Sequence, residues 1–254
     1  ELTEYRMSLE QKVDERTREL NEALKKEKEL VDMKNRFVSI ASHEFRTPLS
    51  TIDFATGFLE SYRHRISDQE VSAKLKNIEA QVRHMTALLD DVLTVGKTGS
   101  GTIKIQKQPI DLNALLNDII SDVKRSTMCK HNILLATDAN VSRFETDEKV
   151  IKNIITNLLT NAIKFSPGKE NIFVGCSQQK SAFMLQVKDE GIGIRPEDMN
   201  VIFEPFNRGS NVGTISGTGL GLTIVKKGVE LLNGELTFKS STAGTEFSVY
   251  LPYN

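Results

Sequence analysis

Residues 39–50 read Ser-Ile-Ala-Ser-His-Glu-Phe-Arg-Thr-Pro-Leu-Ser. No glycine or proline interrupts residues 1–47, so the stretch falls on a long helix. On that helix Phe37, Ala41, Phe45, Pro48, Ile52, Ala55 and Leu59 gather into one apolar stripe. At about 100° per residue, His43 points roughly 150° away from the middle of the stripe. A histidine aimed at solvent is not there for packing. Glu44 stands beside it and Thr47 follows one turn later. Pro48 lacks an N–H and its ring crowds the carbonyl of Glu44, so a bend is expected just beyond the histidine.

The neighbouring segments extend the helical pattern. Residues 1–30 are strongly charged, with Leu9, Val13, Leu20, Leu24 and Leu30 near heptad spacing and a break around Arg16–Thr17. Residues 63–68 read as a turn, with Ser67 or Asp68 as the next helix cap. The second helix is expected to run to about Val95. Its apolar positions Val71, Leu75, Ile78, Val82, Met85, Leu89 and Val92 alternate in steps of four and three, the seam of a coiled coil. Two antiparallel helices bury little alone, whereas two such hairpins share a core as a four-helix bundle. The first module is therefore expected to be an obligate homodimer. Gly96-Lys97-Thr98-Gly99-Ser100-Gly101 reads as a short flexible linker.

Beyond the linker the pattern changes. Strand-like runs are expected at Thr102–Ile105, Ile133–Ala136, Ile172–Ser177, Phe183–Val187, Glu235–Ser240 and Thr245–Leu251. Helices are expected near 111–125, 147–164 and 218–232. This order argues for an α+β sandwich, with helices covering one face of a mixed sheet. The division is a coiled-coil helix at 1–30, a helical hairpin at 31–96, a linker at 97–101 and a second domain at 102–254.

Composition narrows the function classes. A net charge of −1 on 254 residues implies no bulk attraction to nucleic acid or anionic membrane. Cys129 and Cys176 form no metal-ligand spacing and point to a reducing, cytoplasmic setting. No apolar run approaches the roughly 20 residues needed to span a bilayer. No signal peptide is visible, and the first residue is Glu1 rather than methionine, so a sensor or membrane anchor is expected upstream.

Three segments of the second half carry chemistry. Asn157, Asn161 and Lys164 share one face of a helix whose other face is Ile154, Ile155, Leu158, Leu159 and Ala162. Amide oxygens suit a Mg²⁺ already held by phosphates, and the lysine supplies a point charge. Asparagine is a poor residue in mid-helix, so two at this spacing argue against a merely polar surface. Asp189-Glu190-Gly191-Ile192-Gly193-Ile194 follows a strand. Its glycines let backbone approach a flat base, and Asp189 can accept from an exocyclic amine. Gly217-Thr218-Gly219-Leu220-Gly221-Leu222 opens a helix whose free N–H groups attract phosphate. Between these last two lies Phe203-Glu204-Pro205-Phe206-Asn207-Arg208 and a polar stretch from Gly209 to Ser216, expected to be a mobile lid.

His43-Glu44-Phe45-Arg46-Thr47-Pro48-Leu49 resembles the H-box of sensor histidine kinases, and the three later segments with Phe203–Arg208 resemble, in order and spacing, that family's N, G1, F and G2 boxes. Glu15–Leu20 resembles the helix that joins sensor domains to kinase cores. The resemblance implies a Bergerat ATP-binding sandwich that takes ATP and Mg²⁺. It makes His43 the phospho-acceptor and Glu44 the base that takes its proton. Thr47 becomes the residue that places a water for dephosphorylation of the partner. Asn161, with Asn157 in support, would bind Mg²⁺; Lys164 and Arg208 would contact phosphate; Asp189 would read adenine. Phe165, Gly191, Gly193, Gly217, Thr218, Gly219, Leu220 and Gly221 would complete the nucleotide site. Phe165 stands where tyrosine is also common, and Glu190 replaces a frequent asparagine. Related gyrase and MutL ATPases carry a glutamate one turn before the magnesium asparagine; here that position is Asn157, which has no basicity to activate water. The implied partner is a response-regulator receiver domain, and the alternative is a non-catalytic ATP-binding signalling scaffold. His64, His84 and His131 match no motif.

Overall fold

The computed structural model describes the backbone of residues 2–99, 105–127, 129–138, 144–169, 171–213, 215 and 217–253. The chain divides into two compact units, Glu1–Val82 and Arg83–Asn254.

In the first unit, helix α1 spans Leu2–Tyr62 and carries Pro48 without interruption. Among its described side chains Ala41, Pro48 and Ala55 are buried, spaced a heptad apart, with Phe45, Ile52 and Leu59 half-buried beside them. The stripe opposite His43 is therefore present; the side chains of Leu30 and Phe37 lie outside the described residues. Arg65 N donates to Tyr62 O at 2.7 Å and turns the chain after α1. Ser67 then caps helix α2, Asp68–Gly99. Its hydroxyl accepts from Glu70 N at 3.3 Å, and Glu70 Oε2 accepts from Ser67 N at 2.9 Å, a reciprocal capping box. These bonds hold the Glu70 carboxyl below its ordinary pKa.

Helix α2 continues four residues past Val95, into the expected linker. Glycines cost a helix about 1 kcal/mol each, so tertiary anchoring must compensate. Lys227 Nζ donates to Val95 O at 2.9 Å, and Val95 itself is buried. The rest of the linker, with most of the strand expected at Thr102–Ile105, lies outside the described residues; Ile105 is not in a strand.

The second unit is built on a five-stranded mixed sheet in the order β2-β4-β5-β7-β6. Its strands are β2 Asn132–Thr137, β4 Asn171–Gln178, β5 Ala182–Asp189, β6 Glu235–Ser241 and β7 Gly244–Pro252. Only β2 and β4 pair in parallel; the other neighbours are antiparallel. Alternation along the strands buries Ile172, Val174, Phe183, Leu185 and Val187. Against them pack α3 Leu112–Thr127, α4 Glu148–Phe165 and α5 Gly221–Leu231. A separate pair, β1 Gln108–Ile110 with β3 Phe144–Thr146, was not legible, because three-residue strands carry no periodicity. Asp147 joins this pair to α4: Oδ1 accepts from Lys149 N at 3.0 Å and Val150 N at 3.2 Å, while Oδ2 accepts from Gln106 N at 2.9 Å.

Burial raises the Asp91 carboxyl on α2 to about 6, opposed by Lys164 and reinforced by Asp90. Folding thus disfavours its ionised form. The penalty is absent while Asp91 is protonated in both states, grows as pH rises from the ordinary value towards the folded one, and is complete above it. Asp91→Asn should raise the melting temperature at neutral pH, and the gain should shrink towards zero as the buffer is acidified to about pH 4. An equal gain at both ends of a thermal melting series would contradict this origin.

Candidate functional site

Two clusters carry the chemistry, one in each unit. On α1, His43 is 74% exposed at its side chain, and its Nδ1 lies 3.5 Å from Glu44 Oε1. A carboxylate accepts only, so Glu44 favours the proton on Nδ1 and the lone pair on the outward Nε2. The Thr47 hydroxyl reaches back to His43 O at 3.4 Å. An open groove beside the imidazole is lined by His43, Arg46, Thr47, Ser50, Thr51 and Phe54.

The second cluster surrounds Asp189, the last residue of β5. Its carboxylate is buried, and Oδ1 accepts from Gly191 N at 2.8 Å and Thr245 N at 3.2 Å. Burial raises its pKa, with these two N–H groups pulling the other way. Ser166 opposes the rise as well, but weakly, because its hydroxyl does not reach hydrogen-bond geometry. Among the described residues no hydrogen bond goes to Oδ2. The backbone closes on this carboxylate from several sides. A Cβ on Gly191 would lie 2.1 Å from Phe165 O, one on Gly193 would lie 1.9 Å from Ser241 O, and one on Gly244 would lie 2.1 Å from Asp189 O. Ile192 N donates to Phe165 O at 2.9 Å, joining this loop to the end of α4.

Helix α4 turns its two asparagines towards the start of α5. A Cβ on Gly221 would meet Asn157 Oδ1 at 2.8 Å and Asn161 Nδ2 at 3.6 Å. Asn157 Nδ2 donates to Asn153 O at 2.9 Å, which leaves its oxygen turned to Gly221. No side chain caps α5 at Leu220, so its first N–H groups are open to an anion. Gly219 has φ 70°, and a Cβ there would press on the backbone of Phe206 and Asn207 at 2.7–2.8 Å. Thr218 Oγ accepts from Leu220 N at 3.2 Å, and nothing lies within 4 Å of a Cβ on Gly217.

These features fit a nucleotide. Asp189 Oδ2 and the buried Ser166 hydroxyl, which has no partner among the described residues, offer polar groups for a base. Two neutral amides are a weak donor set for Mg²⁺ alone and become adequate only with phosphate oxygens beside them.

The other expected residues are less tightly joined. Burial lowers the Lys164 pKa despite its exposed side chain, and Asp91 opposes the shift. Arg208 donates to Ile215 O within the segment expected to be a lid. That segment is tethered: Ser210 N donates to Asp198 Oδ2 at 2.7 Å and Asn211 Nδ2 to Gly193 O at 3.0 Å. Thr214 and Ser216 lie outside the described residues. Sequence reasoning missed Ser166, Ser240, Gly244 and Thr245. Only Gly244, between two strand patterns, carried a visible turn signature. Ser240 Oγ accepts from Ile194 N at 2.8 Å, so strand β6 also steadies the loop after Asp189.

Residues 33–101 match the family described as His Kinase A (phospho-acceptor) domain, and residues 146–254 match the histidine kinase-, DNA gyrase B- and HSP90-like ATPase family. The chain is 28% identical to the circadian input-output histidine kinase CikA of Synechococcus elongatus over 99% of its own length and 34% of the relative's. It is 32% identical to the autoinducer 2 sensor kinase/phosphatase LuxQ of Vibrio harveyi over 85% of its length and 26% of that protein's. It thus spans about a third or less of these curated relatives. The fold is similar to histidine kinase ThkA solved in complex with response regulator protein TrrA, with TM-score 0.64 and 22% identity over 89% of this chain and 64% of that one. With both domains matched in order, the chain belongs to the histidine kinases, as the phospho-acceptor and nucleotide domains of a sensor histidine kinase catalytic core.

Proposed function

We propose that the chain transfers the γ-phosphoryl group of ATP to His43 and passes it on to an aspartate of a response-regulator receiver domain. The observation that carries this reading is the coexistence of an exposed, Glu44-oriented imidazole with a buried carboxylate in a glycine-lined pocket. Asp189 would accept from the adenine amine through Oδ2. The open N-terminus of α5, with Lys164 and Arg208, would hold phosphates. Asn161 and Asn157 would hold Mg²⁺, which would offset phosphate charge when bound. His43 Nε2 would attack phosphorus in line, while Glu44 takes the proton from Nδ1. Asn157, an amide, leaves water unactivated, so the phosphoryl group is kept for the histidine.

The same reading covers assembly. Leu75, Val82 and Leu89 are about half exposed at seven-residue steps along α2; along α1 the exposed Val13 and Leu20 stand seven apart, with Leu24 four residues further on. Apolar side chains at such spacing and exposure support a homodimer built as a four-helix bundle preceded by a coiled coil. Our division keeps a coiled-coil helix at 1–30, a phospho-acceptor hairpin at 31–96, a linker at 97–101 whose first three residues extend α2, and a nucleotide domain at 102–254. The groove beside His43, with Phe54 70% exposed, suits a receiver domain. Among the described residues no helix is long and apolar enough to cross a membrane. Use of ATP and two free cysteines support a cytoplasmic site of action.

His43→Gln should abolish incorporation of γ-phosphate and leave ATP affinity unchanged, since the two clusters belong to different units. Retained incorporation in a radiolabelling assay would remove His43 as acceptor, and a scaffold would then be the better reading.

Dephosphorylation of the regulator is a second proposed activity, supported by Thr47 on the groove and by the kinase/phosphatase description of LuxQ. Thr47→Ala should preserve most of the kinase rate and slow dephosphorylation of the cognate regulator. Equal losses in both rates, with a lowered melting temperature, would show that Thr47 only supports the helix at Pro48.

A further inference from the structure

His131 matched no motif, yet it occupies a defined position between α3 and β2. Its Nε2 lies 2.9 Å from Ser166 O, and its Nδ1 lies 3.4 Å from Cys129 Sγ. A carbonyl oxygen can only accept, so Nε2 carries the proton. In the neutral ring Nδ1 then holds the lone pair, and that lone pair faces the thiol. The sulfur also receives the backbone N–H of His131 at 3.3 Å, which fixes its position beside the ring. Cys129 is half-buried rather than sealed. A nucleophile, a base aimed at it and a carbonyl that fixes the base's tautomer are the three parts of an activated thiol. Cys176 is buried, and that burial with Asp138 pushes its thiol up to about 12.

We infer that Cys129 and His131 form a reactive thiol–imidazole pair, a modification site for a hydroperoxide, and that its oxidation reaches the nucleotide pocket through Ser166. In the step, sulfur attacks one peroxide oxygen and the S–O bond forms as the O–O bond breaks. The thiol proton passes to His131 Nδ1 and then to the leaving alkoxide or hydroxide. Cys129 becomes a sulfenic acid, oxidised by two electrons, and the peroxide is reduced to an alcohol or water. The added oxygen removes the S–H group that matched Nδ1 and crowds the ring away from Ser166. Ser166 O also accepts from Lys169 N at 3.2 Å and directly follows Phe165, whose carbonyl holds Ile192 N. Loosening His131 therefore acts on the backbone that borders Asp189. This last link rests on the nucleotide-pocket reading; the chemistry of the thiol does not.

The test uses the whole chain with hydrogen peroxide at fixed neutral pH, sulfenate trapping by dimedone, and mass spectrometry of each cysteine. Cys129 should react roughly tenfold faster than glutathione, through general-base help from the imidazole. Cys176 should stay unmodified, and His131→Gln should return Cys129 to the glutathione rate while the protein remains folded in a thermal melt. A parent rate no faster than glutathione, or one unmoved by His131→Gln, would overturn the pair. In parallel, a non-hydrolysable ATP analogue is titrated before and after peroxide. Affinity should fall severalfold in the parent and stay constant in Cys129→Ser. Fast oxidation with unchanged analogue affinity would overturn the link through Ser166. Failure of untreated protein to bind the analogue would instead defeat the nucleotide reading, leaving the peroxide rates to decide the thiol.

Discussion

A carboxylate buried at the end of a strand, with backbone pressed against it, is the constraint on which the nucleotide half depends. Asp189 closes β5, and its burial would favour the neutral acid if nothing answered its charge. Two backbone N–H groups answer it, from Gly191 and Thr245. For both to arrive, the loop after β5 and the start of β7 must come closer than any side chain permits. Glycine at 191, 193 and 244 follows from that geometry. Among the described residues the second carboxylate oxygen accepts no hydrogen bond and has the buried Ser166 hydroxyl for a neighbour, an arrangement that suits a donor such as an exocyclic amine.

Helix α4 links this pocket to the core. One face carries Ile151, Ile154, Ile155, Leu158 and Leu159, all almost fully buried. The other presents Asn157 and Asn161 to the first residue of α5. Core packing thus fixes where the amides stand, and Gly228, whose Cβ would lie 3.0 Å from Ile154 Cγ1, lets α5 approach closely enough to complete the arrangement. The phospho-acceptor half follows a different rule. Its buried positions recur once per heptad, and the histidine is kept outside by the same periodicity.

Most of this was legible where a period or a motif is long enough to read. The apolar stripe opposite His43, the five main strands and the three later helices all follow from periodicity. What was not legible depends on contacts made across the fold. Strands β1 and β3 pair across the fold, with Asp147 tying the chain before β1 to the start of α4. Helix α2 runs past Gly96, and Lys227, far off in sequence, donates to the Val95 carbonyl there. Ser166, Thr245 and Ser240 enter the pocket through tertiary approach, and a serine or threonine in a strand or cap carries no local mark of that. His131 was passed over for the same reason: its partners lie two and thirty-five residues away, and no spacing rule joins them.

Calorimetric titration of Asp189→Asn reads whether the second oxygen of Asp189 recognises the base. The asparagine oxygen would stay on the N–H groups of Gly191 and Thr245, which turns the amide N–H₂ towards the adenine amine, donor against donor. Fold stability should hold or rise, because a buried charge is removed. ATP affinity should fall by roughly tenfold to a hundredfold, the loss of one charge-assisted hydrogen bond of about 1.5–3 kcal/mol. A folded Asp189→Asn protein that binds ATP as tightly as the parent would contradict the account.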